Sequence, residues 1–176
     1  MLETERLLLR LPEPGDVDDL LEALGDPEVM RYIGRGETAE RADAVEQIER
    51  MLNGWRVDGF GRFAVVRKED GVVLGRVGLL AWDPRVWKSG TRAGIGDGAE
   101  IELGWTLSRH AWGHGYATEA ALAARDWGLR ELEPRRLISL IHPDNERSKR
   151  VAEKIGERFD TLVTTHRGIA AEVWTL

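Results

Sequence analysis

The segment with the clearest chemical potential runs from residue 109 to residue 119. Two glycines, Gly113 and Gly115, separate a strand-like run from a helix-like run. A strand–glycine–helix junction directs backbone N–H groups and the positive end of a helix dipole at one point. Glycine also lets a ligand approach the main chain closely. The segment favours a phosphate or pyrophosphate ligand, although many such junctions are only tight turns.

Two nucleotide-binding signatures and one metal site do not match this segment. A P-loop would continue with Gly-Lys-Ser or Gly-Lys-Thr, which is absent here. The dinucleotide fingerprint needs a third glycine and an early βαβ unit, whereas this turn falls late in the chain. His110 and His114 have a zinc-compatible spacing, but the glycines interrupt the helix and no third ligand is near. We therefore predict no metal.

The elements that position this segment are predicted from hydrophobic periodicity. Between residues 100 and 107 apolar residues alternate with polar ones, so Glu100 and Glu102 share the polar face of a strand. Asp70-Gly71 indicates a hairpin between two other strands. The predicted strands are residues 6–11, 62–67, 72–80, 100–107, 136–141, 159–165 and 171–176.

Helices are predicted between these strands. Asp16 and Asp26 are expected to cap two short helices, and a longer helix is expected to begin at Thr38. Its predicted inner face is Ala42, Val45, Ile48, Leu52 and Trp55. Two further helices are expected over residues 116–131 and 145–155, and residues 83–98 are expected to form a mobile loop. The order indicates a mixed α/β sheet with helices packed on it.

Composition limits the class of protein. A length of 176 residues fits one domain, residues 1–176, with 42% hydrophobic and 32% charged residues. A net charge of −6 argues against nucleic-acid binding, and charged residues interrupt every apolar run that approaches a membrane span. Without cysteine there is no disulfide and no thiol nucleophile. The first residues do not resemble a signal peptide, which predicts a cytoplasmic protein.

Four segments together resemble the GNAT acetyltransferases, specifically their RimJ/RimL-type branch of ribosomal-protein N-acetyltransferases. They are residues 4–16 (TERLLLRLPEPGD), 26–33 (DPEVMRYI), 112–119 (WGHGYATE) and 144–156 (DNERSKRVAEKIG). The resemblance implies a mixed, mostly antiparallel, seven-stranded sheet with helices on both faces. It also implies that the sheet splays between its fourth and fifth strands, and that acetyl-CoA lies in the gap.

The resemblance also implies the site. Glu102 matches the general base of the branch, with Glu100 as the alternative if a bulge shifts the register. Ser148 matches the residue that protonates or steadies the departing thiolate, and a backbone N–H near Leu107 would stabilise the oxyanion. The pyrophosphate loop falls on residues 112–117, where Trp112 replaces the usual Gln or Arg. The full set of expected cofactor-binding residues is Leu107, Arg109, Trp112, Gly113, His114, Gly115, Tyr116, Ala117, Thr118 and Asn145.

The implied activity is acetyl transfer from acetyl-CoA to a primary amine by direct attack in a ternary complex. The acceptor would be a protein N-terminus or a small molecule such as an aminoglycoside or polyamine, with Trp82, Trp87 and Trp105 as candidate pocket residues. The alternatives are a GNAT enzyme that uses another acyl-CoA and a non-catalytic acyl-CoA-binding module. A monomer or a homodimer is expected. One departure from the family is Glu157, because an aromatic residue or Met usually follows the glycine at 156.

Overall fold

The computed structural model describes every residue, Met1–Leu176. Its strands are β1 (Leu2–Glu3), β2 (Leu7–Arg10), β3 (Arg62–Arg67), β4 (Val73–Asp83), β5 (Lys88–Gly90), β6 (Glu100–Leu107), β7 (Leu137–Ile141), β8 (Arg158–Thr164) and β9 (Ala170–Thr175). Its α-helices are α1 (Val17–Leu24), α2 (Pro27–Met30), α3 (Arg41–Asp58), α4 (Arg92–Ile95), α5 (Tyr116–Leu132) and α6 (Glu146–Lys154). No helix is both long and apolar enough to cross a membrane.

All nine strands belong to one sheet. The order is β1-β2-β3-β4-β6-β7-β9-β8, and β5 pairs with the outer end of β4. Every pair is antiparallel except β6 and β7. The seven predicted strands are all present, and the two additional ones, β1 and β5, are short. The predicted mixed, mostly antiparallel sheet is confirmed.

The sheet opens where β6 meets β7. Their parallel pairing covers only two positions, Ile101 with Leu137 and Glu102 with Ile138. On its other edge β6 stays paired with β4 along its whole length, from Glu100 to Leu107. Because β6 continues beyond the last pair with β7, a gap opens along the second half of β6. This is the splay that the resemblance implied.

Helices cover both faces of the sheet. On one face α5 packs its small residues Ala120, Ala121 and Ala124 into the main core cluster, where each is fully buried. Small side chains let this helix lie close to the strands. On the other face α1 and α3 contribute Leu20, Ala44 and Ile48 to a second cluster. β4 therefore lies between the two helical layers, in contact with α1 and with α5.

Two local predictions were wrong. The long helix begins at Arg41 rather than near Thr38, because Glu40 and Asp43 form a reciprocal capping box. Its inner face is Ala44, Ile48 and Met51, whereas Val45 is exposed. Residues 83–98 also hold regular structure, since they contain β5 and α4. Thr91 caps α4 by accepting a hydrogen bond from the backbone N–H of Gly94 at 3.1 Å.

Candidate active site

Two cavities meet at the splay between β6 and β7. The larger has a volume of about 640 Å³ and the smaller about 400 Å³. We call them the acceptor cavity and the loop groove, the latter because residues 112–113 and 115–118 form part of its wall. The two cavities share six of their lining residues, which are Tyr32, Ile33, Trp105, Thr106, Asn145 and Ser148. A ligand in one cavity can therefore reach a ligand in the other.

The loop groove is shaped by the glycine turn before α5. Gly113 and Gly115 have φ angles of +80° and +81°, a conformation that other residues rarely adopt, and Gly115 directly precedes the first turn of α5. The indole Nε1 of Trp112 donates to the carbonyl oxygen of Leu107 at 2.9 Å. This bond fastens the turn to the end of β6. The N-terminus of α5 therefore faces the splay.

Positive charge surrounds the loop groove. Arg147, Arg150 and Lys154 line it from α6, against a single carboxylate, Glu28. The guanidinium of Arg147 lies 4.0 Å from the centre of the Trp112 ring. Arg6 reaches the same turn from the N-terminal segment, where it donates to the carbonyl oxygen of His114 at 2.9 Å. The groove is thus suited to an anion, and none of these cations was expected there from the sequence.

The expected cofactor-binding residues do not all lie in the groove. Its lining includes Leu107, Trp112, Gly113, Gly115, Tyr116, Ala117, Thr118 and Asn145. Arg109 and His114 are outside the lining. The Arg109 guanidinium instead pairs with Asp26 at 2.9 Å, and the His114 ring stacks on Tyr116 with a centroid distance of 5.7 Å.

The backbone of β6 presents an N–H group to the splay. The N–H of Ser108 donates to the carbonyl oxygen of Leu74 at 2.8 Å, while Leu107 is the residue registered with Gly75. Alternation in an antiparallel ladder therefore turns the N–H of Leu107 away from β4. Consistent with this alternation, the N–H of Ile101 points to the edge of β6 that faces β7, where it donates to the carbonyl oxygen of Arg136 at 3.1 Å. Near Leu107 that edge borders the gap.

Glu102 lies on the floor of the acceptor cavity. Its side chain is largely buried, and its Oε2 accepts a hydrogen bond of 2.9 Å from the indole Nε1 of Trp82. Next to it, Gly104 has no side chain to fill the space beside Oε1, from which a Cβ atom would be only 3.4 Å away. One carboxylate oxygen is therefore fixed by Trp82, and the other faces the space above Gly104.

The alternative carboxylate, Glu100, has different surroundings. It pairs with Arg136 at 3.2 Å and is not part of the cavity lining. Of the three tryptophans considered for the acceptor pocket, Trp82 and Trp105 line the acceptor cavity and Trp87 does not. The structure thus places Trp82 against Glu102 and separates Glu100 from both.

Ser148 and Asn145 lie at the start of α6, where the two cavities join. Asn145 caps the helix, since its Oδ1 accepts a hydrogen bond of 3.2 Å from the backbone N–H of Ser148. The same cap directs the first turn of α6 toward the splay. Both residues line both cavities.

A second buried carboxyl lies behind the site. Glu157 is 2% exposed, and its Oε1 is 3.0 Å from the hydroxyl oxygen of Ser139, which donates to the carbonyl oxygen of Leu103 at 2.9 Å. Burial raises the pKa of Glu157 to about 8, and the charge of Glu102 adds to the effect. The Ser139 hydroxyl also donates to Glu157 Oε1, and the raised pKa keeps this buried carboxyl largely protonated near neutral pH, which explains how this departure from the family is accommodated. No group of three or more His, Asp or Glu side chains is arranged to hold a metal ion.

Comparison with known proteins agrees with this geometry. The Acetyltransferase (GNAT) domain family model matches residues 6–158. The Bacillus licheniformis protein p20, named an uncharacterized N-acetyltransferase, is 30% identical over 163 residues, which are 92% of this chain and 84% of that one. A crystal structure of an acetyltransferase from Agrobacterium tumefaciens superposes with a TM-score of 0.78 and 28% identity, and covers 99% of this chain and 92% of that one.

A third similarity concerns the fold alone. The crystal structure of aminoglycoside acetyltransferase AAC(6')-Ib in complex with coenzyme A superposes with a TM-score of 0.72 and 19% identity, over 97% of this chain and 94% of that one. With the family model matching most of the sequence and the sheet splayed as expected, the chain belongs to the GNAT family and is an N-acetyltransferase.

Proposed function

We propose that this enzyme transfers the acetyl group of acetyl-CoA to a primary amine by direct attack in a ternary complex. The observation that carries the proposal is the junction of the two cavities. The loop groove, with its glycine turn and three cations, meets the acceptor cavity, with Glu102 on its floor, at Ser148 and Asn145. A thioester held at this junction would be within reach of an amine held beside Glu102.

Acetyl-CoA fits the loop groove on chemical grounds. Its pyrophosphate would face the N-terminus of α5 and the side chains of Arg147 and Arg150, and its pantetheine arm would enter the splay along β6. The open backbone edge of β6 ahead of Leu107 and the side-chain amide of Asn145 supply polar partners for the amide groups of that arm, which leaves the N–H of Leu107 for the thioester. Arg109 is left out of this set because it does not line the groove, and Arg147 would have to exchange its ion pair with Glu28 for the pyrophosphate.

The proposed chemistry assigns one task to each group. Glu102 accepts a proton from the acceptor ammonium through its free Oε1, and Trp82 keeps the carboxylate in position through Oε2. The neutral amine attacks the thioester carbonyl, and the N–H of Leu107 stabilises the oxyanion that forms. The carbon–sulfur bond then breaks, and the Ser148 hydroxyl donates a proton to the departing thiolate. The nitrogen loses its second proton as the amide forms, and water passes that proton to the Ser148 oxygen, which restores the hydroxyl.

Two finer assignments remain part of this proposal. The four sequence segments support the RimJ/RimL-type branch, and acetyl is proposed as the acyl group because that branch uses it. A non-catalytic acyl-CoA-binding module is disfavoured, because Ser148 lies at the junction of the cavities and Glu102 lines the acceptor cavity. A cytoplasmic location rests on the sequence alone.

A thermal-shift titration tests the cofactor assignment. Acetyl-CoA should raise the melting temperature at micromolar concentrations, because a ligand that binds only the folded state stabilises it by mass action. Adenosine, which lacks the pyrophosphate and the pantetheine arm, should give no comparable shift. If millimolar acetyl-CoA leaves the melting temperature unchanged, the proposed cofactor is wrong.

A further inference from the structure

Two arginines lie on the same face of the sheet as Glu102. Arg62 on β3 is registered with Gly78 on β4, which is itself registered with Gly104 on β6. Arg76 on β4 is registered with Thr106 on β6. Registered residues in a sheet point to the same side, so both guanidiniums enter the acceptor cavity, whose lining includes them.

Neither arginine forms a salt bridge in the protein, and Glu102 is the carboxylate whose charge acts on both. Arg76 is only 6% exposed, and its Nε and Nη1 atoms are buried without a hydrogen-bond partner. Burial lowers the pKa of the Arg62 guanidinium and places that of Arg76 well below its ordinary value, with the charge of Arg62 adding to the effect on Arg76. A guanidinium nevertheless stays protonated in proteins. Buried charges without partners are costly, which indicates that a ligand supplies the missing anion.

The other charged side chains that line the acceptor cavity are also positive, apart from Glu102. Its lining holds five basic side chains, which are Arg50, Arg62, Arg76, Lys88 and Arg167, and Glu102 is its only carboxylate. Of these five, Arg50 is paired with Glu46, which is not part of the lining. The whole chain carries a net charge of −6, so this concentration of positive charge is local. A cavity of this kind attracts anions and repels polycations such as polyamines and aminoglycosides.

Gly104 lies between the carboxylate of Glu102 and the guanidinium of Arg62. A Cβ atom at Gly104 would lie 3.4 Å from Glu102 Oε1 and 3.8 Å from Arg62 Nη2. The proposed base and the nearer guanidinium therefore border one small space that no side chain fills. An amine at Glu102 and an anionic group at Arg62 and Arg76 can belong to one small molecule with only a few bonds between them.

From this arrangement we propose that the acceptor is a small amine that carries an oxyanionic group, as an amino acid carries its carboxylate. Arg62 and Arg76 bind the anion, and this places the amine beside Glu102. The inference rests on the proposed acetyl transfer and narrows its acceptor. A carboxylate and a phosphonate share the chemistry that two guanidiniums recognise.

The first test is a panel of matched acceptors with wild-type enzyme and acetyl-CoA. It contains the standard amino acids, their amides, the corresponding decarboxylated amines and aminophosphonates, with spermidine, kanamycin and short peptides added. We expect at least one carboxylate or phosphonate acceptor to exceed its uncharged counterpart by about 100-fold or more in kcat/KM. The carboxylate and phosphonate arms distinguish the two oxyanions.

The second test uses Arg62→Met and Arg76→Met, with Arg130→Met as the matched control because Arg130 is exposed on α5 and pairs with Glu131. Each cavity variant should raise KM for the anionic acceptor by about 10-fold or more and reduce the preference over its amide. Without ligand, Arg76→Met should melt no lower than wild type, because it removes a buried charge that has no partner. The control should keep both the KM and the preference.

The outcomes separate this inference from the proposed function. If acetyl-CoA gives no thermal shift, the proposed function fails. If acetyl-CoA binds but no amine with an oxyanionic group is acetylated, or if spermidine, kanamycin, peptides or uncharged amines are acetylated equally well, only the inference about the acceptor fails. Unchanged KM values and preference in both cavity variants would also overturn it.

Discussion

At Glu102 the structure distinguishes two carboxylates that the sequence left open. Both Glu100 and Glu102 are on β6, but Glu100 is neutralised by Arg136, whereas Glu102 faces the acceptor cavity and is held by Trp82. Period-two alternation placed both on one face and could not choose between them. The choice depends on the tertiary partner of each side chain. Glu100 is paired with Arg136, the residue before β7, and Glu102 is bonded to Trp82 on β4.

Replacing Glu102 by Gln tests its role as general base. Glu102→Gln should lower turnover by roughly 10²- to 10⁴-fold with little effect on acetyl-CoA affinity. The loss should shrink as pH rises, because more of the acceptor amine is then already neutral. Steady-state kinetics over a pH series would measure this, with Glu100→Gln as the control. Full activity in Glu102→Gln together with loss in Glu100→Gln would reverse the assignment.

Ser148 should have a smaller and pH-insensitive effect. Ser148→Ala removes the proposed proton donor, and turnover should fall by about 10-fold because a CoA thiolate is already a fair leaving group. Raising the pH should not restore the rate, which distinguishes this variant from Glu102→Gln. A tenfold rise in the KM for acetyl-CoA at unchanged turnover would instead assign Ser148 to binding alone.

Glu157 should make the stability of the fold depend on pH. In the folded protein its pKa is about 8, whereas its ordinary value is 4.5, so the folded state holds a proton that the unfolded state has lost between these values. The contribution of this group to the free energy of unfolding is fully present below pH 4.5 and is lost as pH rises through about 8. The melting temperature should fall on the order of 10 °C across this window.

Glu157→Gln should reduce that dependence, because an amide can hydrogen-bond to Ser139 without titrating. Glu153→Gln is the matched control, since Glu153 is exposed on α6. Thermal denaturation in a pH series measures both variants. An equally steep fall in wild type and Glu157→Gln would show that Glu157 is not the group responsible.

Among the elements, the turn before α5 makes the sharpest prediction. Gly115 has a φ angle of +81°, and a Cβ atom there would lie 3.5 Å from Arg6 Nη2. Gly115→Val should strain the turn and obstruct access to the backbone N–H groups at the start of α5. Acetyl-CoA affinity measured by calorimetry should fall by more than about 10-fold, while circular dichroism shows a largely preserved fold. Normal acetyl-CoA binding in this variant would mean that the turn connects β6 to α5 but takes no part in binding the cofactor.

The elements that the sequence predicted well are those with local signals. Alternation identified β6, and the Asp70-Gly71 pair identified the hairpin between β3 and β4, because period and turn chemistry are properties of a few neighbouring residues. The start of α3 was missed because Thr38 and Glu40 are both able to precede a helix, and only the capping box with Asp43 decides. β5 was missed because it has only three residues, all of them exposed, and so shows no hydrophobic alternation; only its pairing with β4 defines it as a strand.

Across the whole molecule, the charges of the site come from segments far apart in sequence. Arg6 hydrogen-bonds to Glu119, 113 positions away, and thereby reaches the glycine turn. Arg62 and Arg76 are brought to Glu102 by the order of strands in the sheet. The family could be predicted from the sequence, since its motifs are runs of contiguous residues. The cationic acceptor cavity could not, because it exists only once β3, β4 and β6 are side by side.

The central claim is that an acetyl group passes from acetyl-CoA to an amine held at Glu102. Mass spectrometry of the acceptor, combined with measurement of released CoA thiol in the same reaction, tests it most directly. We predict one N-acetylated amine for each thiol released by wild type, and both signals should fall together in Glu102→Gln. Thiol release without an acetylated amine, or equal yields from wild type and Glu102→Gln, would contradict the account.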